Sequence, residues 1–228
     1  EASGITDIKA WGSGAAFVDM DNDGDLDLYV CNKAARDEIY LNQGDGIFKG
    51  TTVGAGDSSL RAPTMVSFSD YDRDGDLDFY STETRLLSLG EMFNSQVHLL
   101  KDAEGNLTAD PRYKGEFKVI DGLPRELGTQ DHLMRNEGTA KDPLRYRDVT
   151  PRAGIKVARD HGLAAIWWDF NNDNYPDLYV SNDFHTPDRL YRNNKDGTFT
   201  EISEEALPYT SWSSMGSDFA DINNDGLF

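Results

Sequence analysis

The sequence predicts an all-β protein assembled from repeated four-stranded units of about 50 residues. Four acidic segments align along the chain, and short β-rich runs flank them. Asp-Gly and similar turns separate those runs, while helical periodicity stays weak throughout.

The acidic segments are VDMDNDGDLDLYV from Val18, SDYDRDGDLDFYS from Ser69, WDFNNDNYPDLYV from Trp168 and ADINNDGLF from Ala220. A run of small and apolar residues precedes each one: GSGAAF, APTMVSF, HGLAAIWW and SSMGSDF. A second run follows the loop, at Leu26 to Val30, Leu77 to Tyr80 and Leu178 to Val180. A third reads Ile39 to Asn42, Leu133 to Asn136 and Leu190 to Asn193. The last closes the unit at Tyr146 to Val149 or Thr198 to Ile202. Tight turns such as Gly44-Asp45-Gly46 and Lys195-Asp196-Gly197 join them, because glycine accepts positive φ at little cost. Four short strands in about 50 residues is the pattern of one β-propeller blade.

The first aspartates, Asp19, Asp70, Asp169 and Asp221, recur at intervals of roughly 50, 100 and 50 residues. The long interval reads as one blade carrying an insertion over residues 83–131, since DHLMRNEG matches the third run and no further acidic loop precedes it. Within the insertion VHLLKDAEGNLTAD predicts a small hairpin, and Arg85 to Phe93 is the one stretch that passes for a helix.

The formal net charge of −19 argues against a nucleic-acid partner, which needs a basic face. No apolar run reaches the length of a membrane-spanning helix. The single cysteine, Cys31, lies in an apolar run and reads as a buried small hydrophobe; one cysteine does not settle the compartment. Fifteen of the 41 acidic residues fall in the four segments, a concentration that is unfavourable unless a positive charge is bound there.

The first loop has the form D-x-D-x-D-G-x-x-D. Asp19, Asp21 and Asp23 alternate, Gly24 turns the chain, the carbonyl of Asp25 faces inward and Asp27 closes the set. All donors are oxygens, several are charged, and the loop is flexible, which suits Ca²⁺ better than Mg²⁺. Without His or Cys, zinc and copper are disfavoured. The second loop repeats the set with Asp70, Asp72, Asp74, the Asp76 carbonyl and Asp78. In the third, Asp169, Asn171, Asp173, the Tyr175 carbonyl and Asp177 make a site expected to bind more weakly: Asn171 removes a charge and Asn174 replaces the glycine. The fourth offers Asp221, Asn223, Asp225 and the Leu227 carbonyl and is truncated. An EF-hand would need a glutamate at position twelve between helices; Val30, Ser81 and Val180 stand there, inside strand-like runs.

Strand pattern and loops together resemble FG-GAP or VCBS repeats, the group with integrin-α-type propeller blades. The run from LYVSN through RLYRNNKDGTFTEIS to SMGSDFADINNDG is more similar still to the cartilage acidic protein and ASPIC/UnbV group. The resemblance implies a partial propeller of about four blades from a ring of seven, with Asp19, Asp21, Asp23 and Asp27, their counterparts Asp70, Asp72, Asp74 and Asp78, and Asp169, Asn171, Asp173 and Asp177 as calcium ligands. It also implies a secreted, periplasmic or cell-surface location. Residues 1–228 read as one such region of a longer chain, opening near the end of one unit and stopping inside a loop.

No catalytic centre is expected in this region. His98, His132, His161 and His185 form no metal-spaced pair, and no G-x-S-x-G elbow, P-loop or dinucleotide fingerprint is present. Trp167 and Trp168 precede an acidic loop, so one of them is expected to pack between blades; Trp11 and Trp212 precede similar loops, and core packing is the expected role over a sugar-stacking platform. Asn106-Leu107-Thr108 is a glycosylation sequon by pattern. The expected function is a calcium-binding scaffold for extracellular binding or adhesion, with a protein or glycan partner, the insertion as contact surface, and self-assembly through open propeller edges. The alternative is an accessory or substrate-holding propeller of a secreted enzyme acting on polysaccharide or phospholipid.

Overall fold

The computed structural model describes residues 3–6, 10–33, 35–52, 62–84, 98–111, 116–139, 142–184 and 186–226. Three four-stranded antiparallel sheets dominate. Strands β1 (Trp11–Val18), β2 (Asp27–Lys33), β3 (Glu38–Asn42) and β4 (Phe48–Thr52) form the first, in sequential order. The second joins β5 (Pro63–Ser69), β6 (Asp78–Glu83), β11 (His132–Asn136) and β12 (Tyr146–Asp148). The third is the meander β13 (Gly162–Trp168), β14 (Asp177–Asn182), β15 (Arg189–Asn193) and β16 (Phe199–Glu201), followed by a single helical turn, α1 (Ser203–Ala206). These are blade-like sheets, the architecture of a partial β-propeller.

In the second sheet β6 pairs directly with β11, Leu133 opposite Tyr80. The chain between them carries two hairpins, β7 (Leu99–Lys101) with β8 (Leu107–Ala109), and β9 (Phe117–Ile120) with β10 (Leu123–Glu126). The first is the hairpin expected from the sequence; the helix expected from Arg85 to Phe93 lies outside the described residues. Arg159, in the segment leading to β13, donates from Nε to the Gly128 carbonyl at 2.8 Å and pairs with Glu116, which moors the insertion to the third sheet.

The sheets pack face to face. Tyr29, Cys31, Ile39, Val66, Phe79 and Met134 fill the space between the first and second; Tyr80, Leu133, Ala165, Leu178 and Val180 fill that between the second and third. Each second strand is covered on both faces, and β6 is buried along its whole length. This explains why those strands read as continuous apolar or small-residue runs rather than alternating ones. Each first strand carries a bulge at the same place, after Gly12, Pro63 and Gly162. The bulged residue links sideways: Ser13 Oγ donates to the Pro63 carbonyl, and Thr64 Oγ1 to the Gly162 carbonyl at 2.8 Å. The approach is close enough that a Cβ on Gly14 would lie 2.5 Å from the Thr64 carbonyl oxygen.

Two of the four tryptophans depart from the expected core role. Trp167 packs against Tyr71 and Phe199 and donates to the Ser67 carbonyl at 3.1 Å, between sheets two and three. Trp168 stacks on Phe219 at 3.6 Å. Trp11 and Trp212, however, are 64% and 82% exposed. They lie on the outer flanks of the first and last units, where no described sheet covers them. The fourth unit shows its loop, but residues 211–220 form no ladder.

Candidate metal centre

Each of the first three acidic loops connects the first and second strands of a sheet. Its shape follows from short-range bonds that the sequence encodes. The first aspartate accepts backbone N–H groups from the fifth and sixth positions and so curls the loop around its carboxylate. In the first loop Asp23 N and Gly24 N donate to Asp19 at 3.1 and 3.0 Å. Asp74 N and Gly75 N donate to Asp70 at 3.0 and 3.1 Å, and Asp173 N and Asn174 N to Asp169 at 2.9 and 2.6 Å. Asp225 N and Gly226 N donate to Asp221 at 3.1 and 2.7 Å. The seventh residues, Asp25, Asp76 and Tyr175, donate their N–H to Asp23, Asp74 and Asp173. Two positions are left-handed in all four loops: the sixth, Gly24, Gly75, Asn174 and Gly226, and the fourth, Asn22, Arg73, Asn172 and Asn224. The glycine pattern in the sequence points to the sixth only. The recurrent Asn at the fourth is the signal that would have revealed the other, since Asn tolerates that region.

The ninth aspartate anchors the loop from below. Asp27 is fully buried and accepts Met20 N–H at 2.9 Å and Asn42 N–H at 2.8 Å. Asp177 does the same with Phe170 and Asn193. Asp78 accepts Asn136 N–H at 2.8 Å, but its Oδ2 is buried without a hydrogen-bond partner.

The carboxylates converge. One oxygen from each of Asp19, Asp21 and Asp23 lies within 4.8 Å of the others, and the same holds for Asp70, Asp72 and Asp78. Oxygens bound to one Ca²⁺ at about 2.3–2.6 Å are at most about 5 Å apart, so both triads fit a shared ion. Asp21 Oδ1 and Asp72 Oδ1 are, like Asp78 Oδ2, buried without a partner. Asp27 and Asp74 fall outside these triads; Asp27 is engaged as the anchor, although each carboxylate oxygen keeps a second lone pair. In the third loop Asn171 replaces one of the carboxylates and Asp173 pairs with Lys195 at 3.3 Å. In the fourth, Asn223 Nδ2 donates to Asp225 at 2.8 Å. Leu227 lies outside the described residues.

Burial and mutual repulsion make the charged forms of these carboxylates costly. Burial, then the charges of Asp27 and Asp23, push Asp21 up; burial, then Asp74, pushes Asp72 up against the opposing Arg135. Burial raises Asp78 to about 8 despite the Asn136 N–H, with Asp72 and Asp74 adding to the rise. Burial raises Asp177 to about 6 and lifts Asp27 as well. Charged carboxylates in such places are unfavourable alone and favourable around a cation.

The model of the FG-GAP-like repeat matches residues 19–81 and 169–228, more than half of the sequence. The chain belongs to the FG-GAP-like repeat family. Each matched stretch of the FG-GAP-like repeat starts on the first aspartate of a loop and spans two loops, and the insertion falls between the two. No curated protein matches the sequence.

Sequence reasoning missed a second repeated constellation. In each sheet a tyrosine on the second strand donates to an aspartate just before the third strand. The pairs are Tyr29 with Asp37 at 2.8 Å, Tyr80 with Asp131 at 3.0 Å and Tyr179 with Asp188 at 2.8 Å. The same aspartates accept the N–H of Asn32, Glu83 and Asn182. The histidines serve the scaffold in a comparable way. His132 pairs with Asp148 at 2.7 Å, and buried His161 lies 3.0 Å from the Glu126 carbonyl; His185 is outside the described residues.

Proposed function

We propose that this FG-GAP-like propeller region is a calcium-stabilised, non-catalytic scaffold that presents its loops and insertion to an extracellular protein or glycan. The observation that carries the reading is the convergence of buried, unpartnered carboxylate oxygens in the first two loops. Asp19, Asp21 and Asp23, and Asp70, Asp72 and Asp78, would hold the ions, with Asp27, Asp74 and the carbonyls of Asp25 and Asp76 completing the shells. The third and fourth loops would add Asp169, Asn171, Asp173, Tyr175 and Asp177, and Asp221, Asn223, Asp225 and Leu227. The bound cation would supply neutralising charge and rigidity, not chemistry. Its effect depends on compartment. At millimolar calcium a site with a dissociation constant near 10 μM is about 100-fold saturated and contributes about 2.7 kcal/mol, whereas submicromolar calcium leaves it empty. That favours a secreted, periplasmic or cell-surface setting.

Immobilised glycans and matrix proteins, probed with the purified chain in millimolar calcium and again in chelator, test the scaffold role. Calcium-dependent capture without turnover is expected. Turnover of an added polysaccharide or phospholipid would overturn the non-catalytic reading and favour the enzyme-associated alternative.

A further inference from the structure

The turn after the third strand is built alike in all three sheets. An asparagine ends the strand, and its side-chain oxygen accepts the N–H of the residue two places on. Asn42 accepts from Gly44 at 3.0 Å, Asn136 from Gly138 at 2.9 Å and Asn193 from Lys195 at 2.8 Å. Glycine stands at that place beside the first and second loops, lysine beside the third. We infer that Lys195 is the built-in cation of the third loop and sets its affinity for metal, so that the chain binds two divalent ions tightly and a third only weakly. This rests on the metal reading above.

The geometry delivers the ammonium to the loop. Lys195 is held at φ 68° by the asparagine turn, and its Nζ lies 3.3 Å from Asp173 Oδ2 and 5.6 Å above the Tyr175 ring. A second cation braces the same loop. The Arg73 guanidinium lies 5.3 Å from the centre of the Tyr175 ring and donates to the Asn174 carbonyl at 3.2 Å. The third loop also has two carboxylates fewer than the first and second, because Asn171 stands where they have Asp21 and Asp72, and Tyr175 where they have Asp25 and Asp76. An incoming divalent ion would meet less negative charge and a like charge already seated. The nearest counterpart is Arg135, 3.4 Å from Asp72 in the second loop, but it makes no hydrogen bond through Nε and leaves Asp72 Oδ1 unpartnered.

Calorimetric titration with calcium chloride tests this on the intact chain, its Lys195→Gly and Lys195→Gln variants, and a Lys118→Gln control that removes the same charge from an exposed hairpin. The wild type and the control should show two tight ions. Both Lys195 variants should strengthen the third site on the order of tenfold. A wild type with three equal sites, or Lys195 variants that titrate like the control, would overturn the inference. Absence of calcium binding in every protein would instead overturn the metal reading itself.

Discussion

The Asn136 N–H donates to Asp78 Oδ1 at 2.8 Å, across a sequence interval that contains the whole insertion. The same bond joins Asn42 to Asp27 and Asn193 to Asp177. The last carboxylate of each loop is thus also the residue that fastens the loop to the third strand. Asp78 serves both roles at once: Oδ1 is bonded to the strand, and the carboxylate is also a member of the second triad.

Asp78→Asn should therefore change sign with conditions. The amide oxygen keeps the Asn136 bond and removes a buried charge, so stability in chelator should stay within about 1 kcal/mol of the wild type or rise. In saturating calcium the variant should forfeit the stabilisation of that site, about 2.7 kcal/mol at 100-fold saturation. Urea unfolding in both conditions checks the crossing.

Asp21→Ala should remove one calcium ion and leave the second loop unaltered, since the Asp21 oxygens serve only the first triad. Calorimetric stoichiometry decides this; an unchanged number of tight ions would exclude Asp21 as a ligand.

Without metal, stability should fall as pH rises from about 4 to 8. Burial holds protons on Asp78 and Asp131 up to about 8 and on Asp177 up to about 6, while the unfolded chain releases them near 4. Folding binds protons in that window, so the contribution is full below pH 4 and is lost as pH climbs through the folded values. Asp148 acts oppositely. Burial raises it, but His132 and Thr150 outweigh burial and bring it down to about 2, so its contribution is lost as pH falls from about 4 to 2. Melting curves in chelator across pH 5 to 8 should slope downward. Calcium should flatten the part due to Asp78 and Asp177 but not that due to Asp131, which lies outside the loops.

Tyr80→Phe should destabilise the fold by about 1–3 kcal/mol, because buried Asp131 loses a donor. Tyr179→Phe should have a smaller effect, since Ser214 Oγ also donates to Asp188 Oδ2, at 2.6 Å. Denaturant midpoints of the two variants compare them directly.

The loops and strands were legible because both are local: alternating aspartates with a turn residue, followed by β-rich runs, need only adjacent residues to be recognised. The Tyr–Asp latch was not, because the residues between its partners share no pattern: Tyr29 and Asp37, and Tyr179 and Asp188, are close in sequence, while the insertion separates Tyr80 from Asp131. Its one local trace is the aspartate directly before each third strand, in Asp37-Glu38-Ile39, Asp131-His132-Leu133 and Asp188-Arg189-Leu190. The basic residues at the loops were hidden for a related reason. Arg135 reaches Asp72, and Lys195 reaches Asp173, across strands that pair only in the folded sheet. Exposure of Trp11 and Trp212 depends on what covers the flanking units, which no local pattern encodes.

The most direct measurement is the melting temperature of the chain in chelator and in millimolar calcium. Filling the first two loops should raise it by about 10–20 °C, given about 2.7 kcal/mol per site and about 2–4 °C per kcal/mol for a chain of this size. Superimposable curves would contradict the account, because they would mean that the converging aspartates hold no ion.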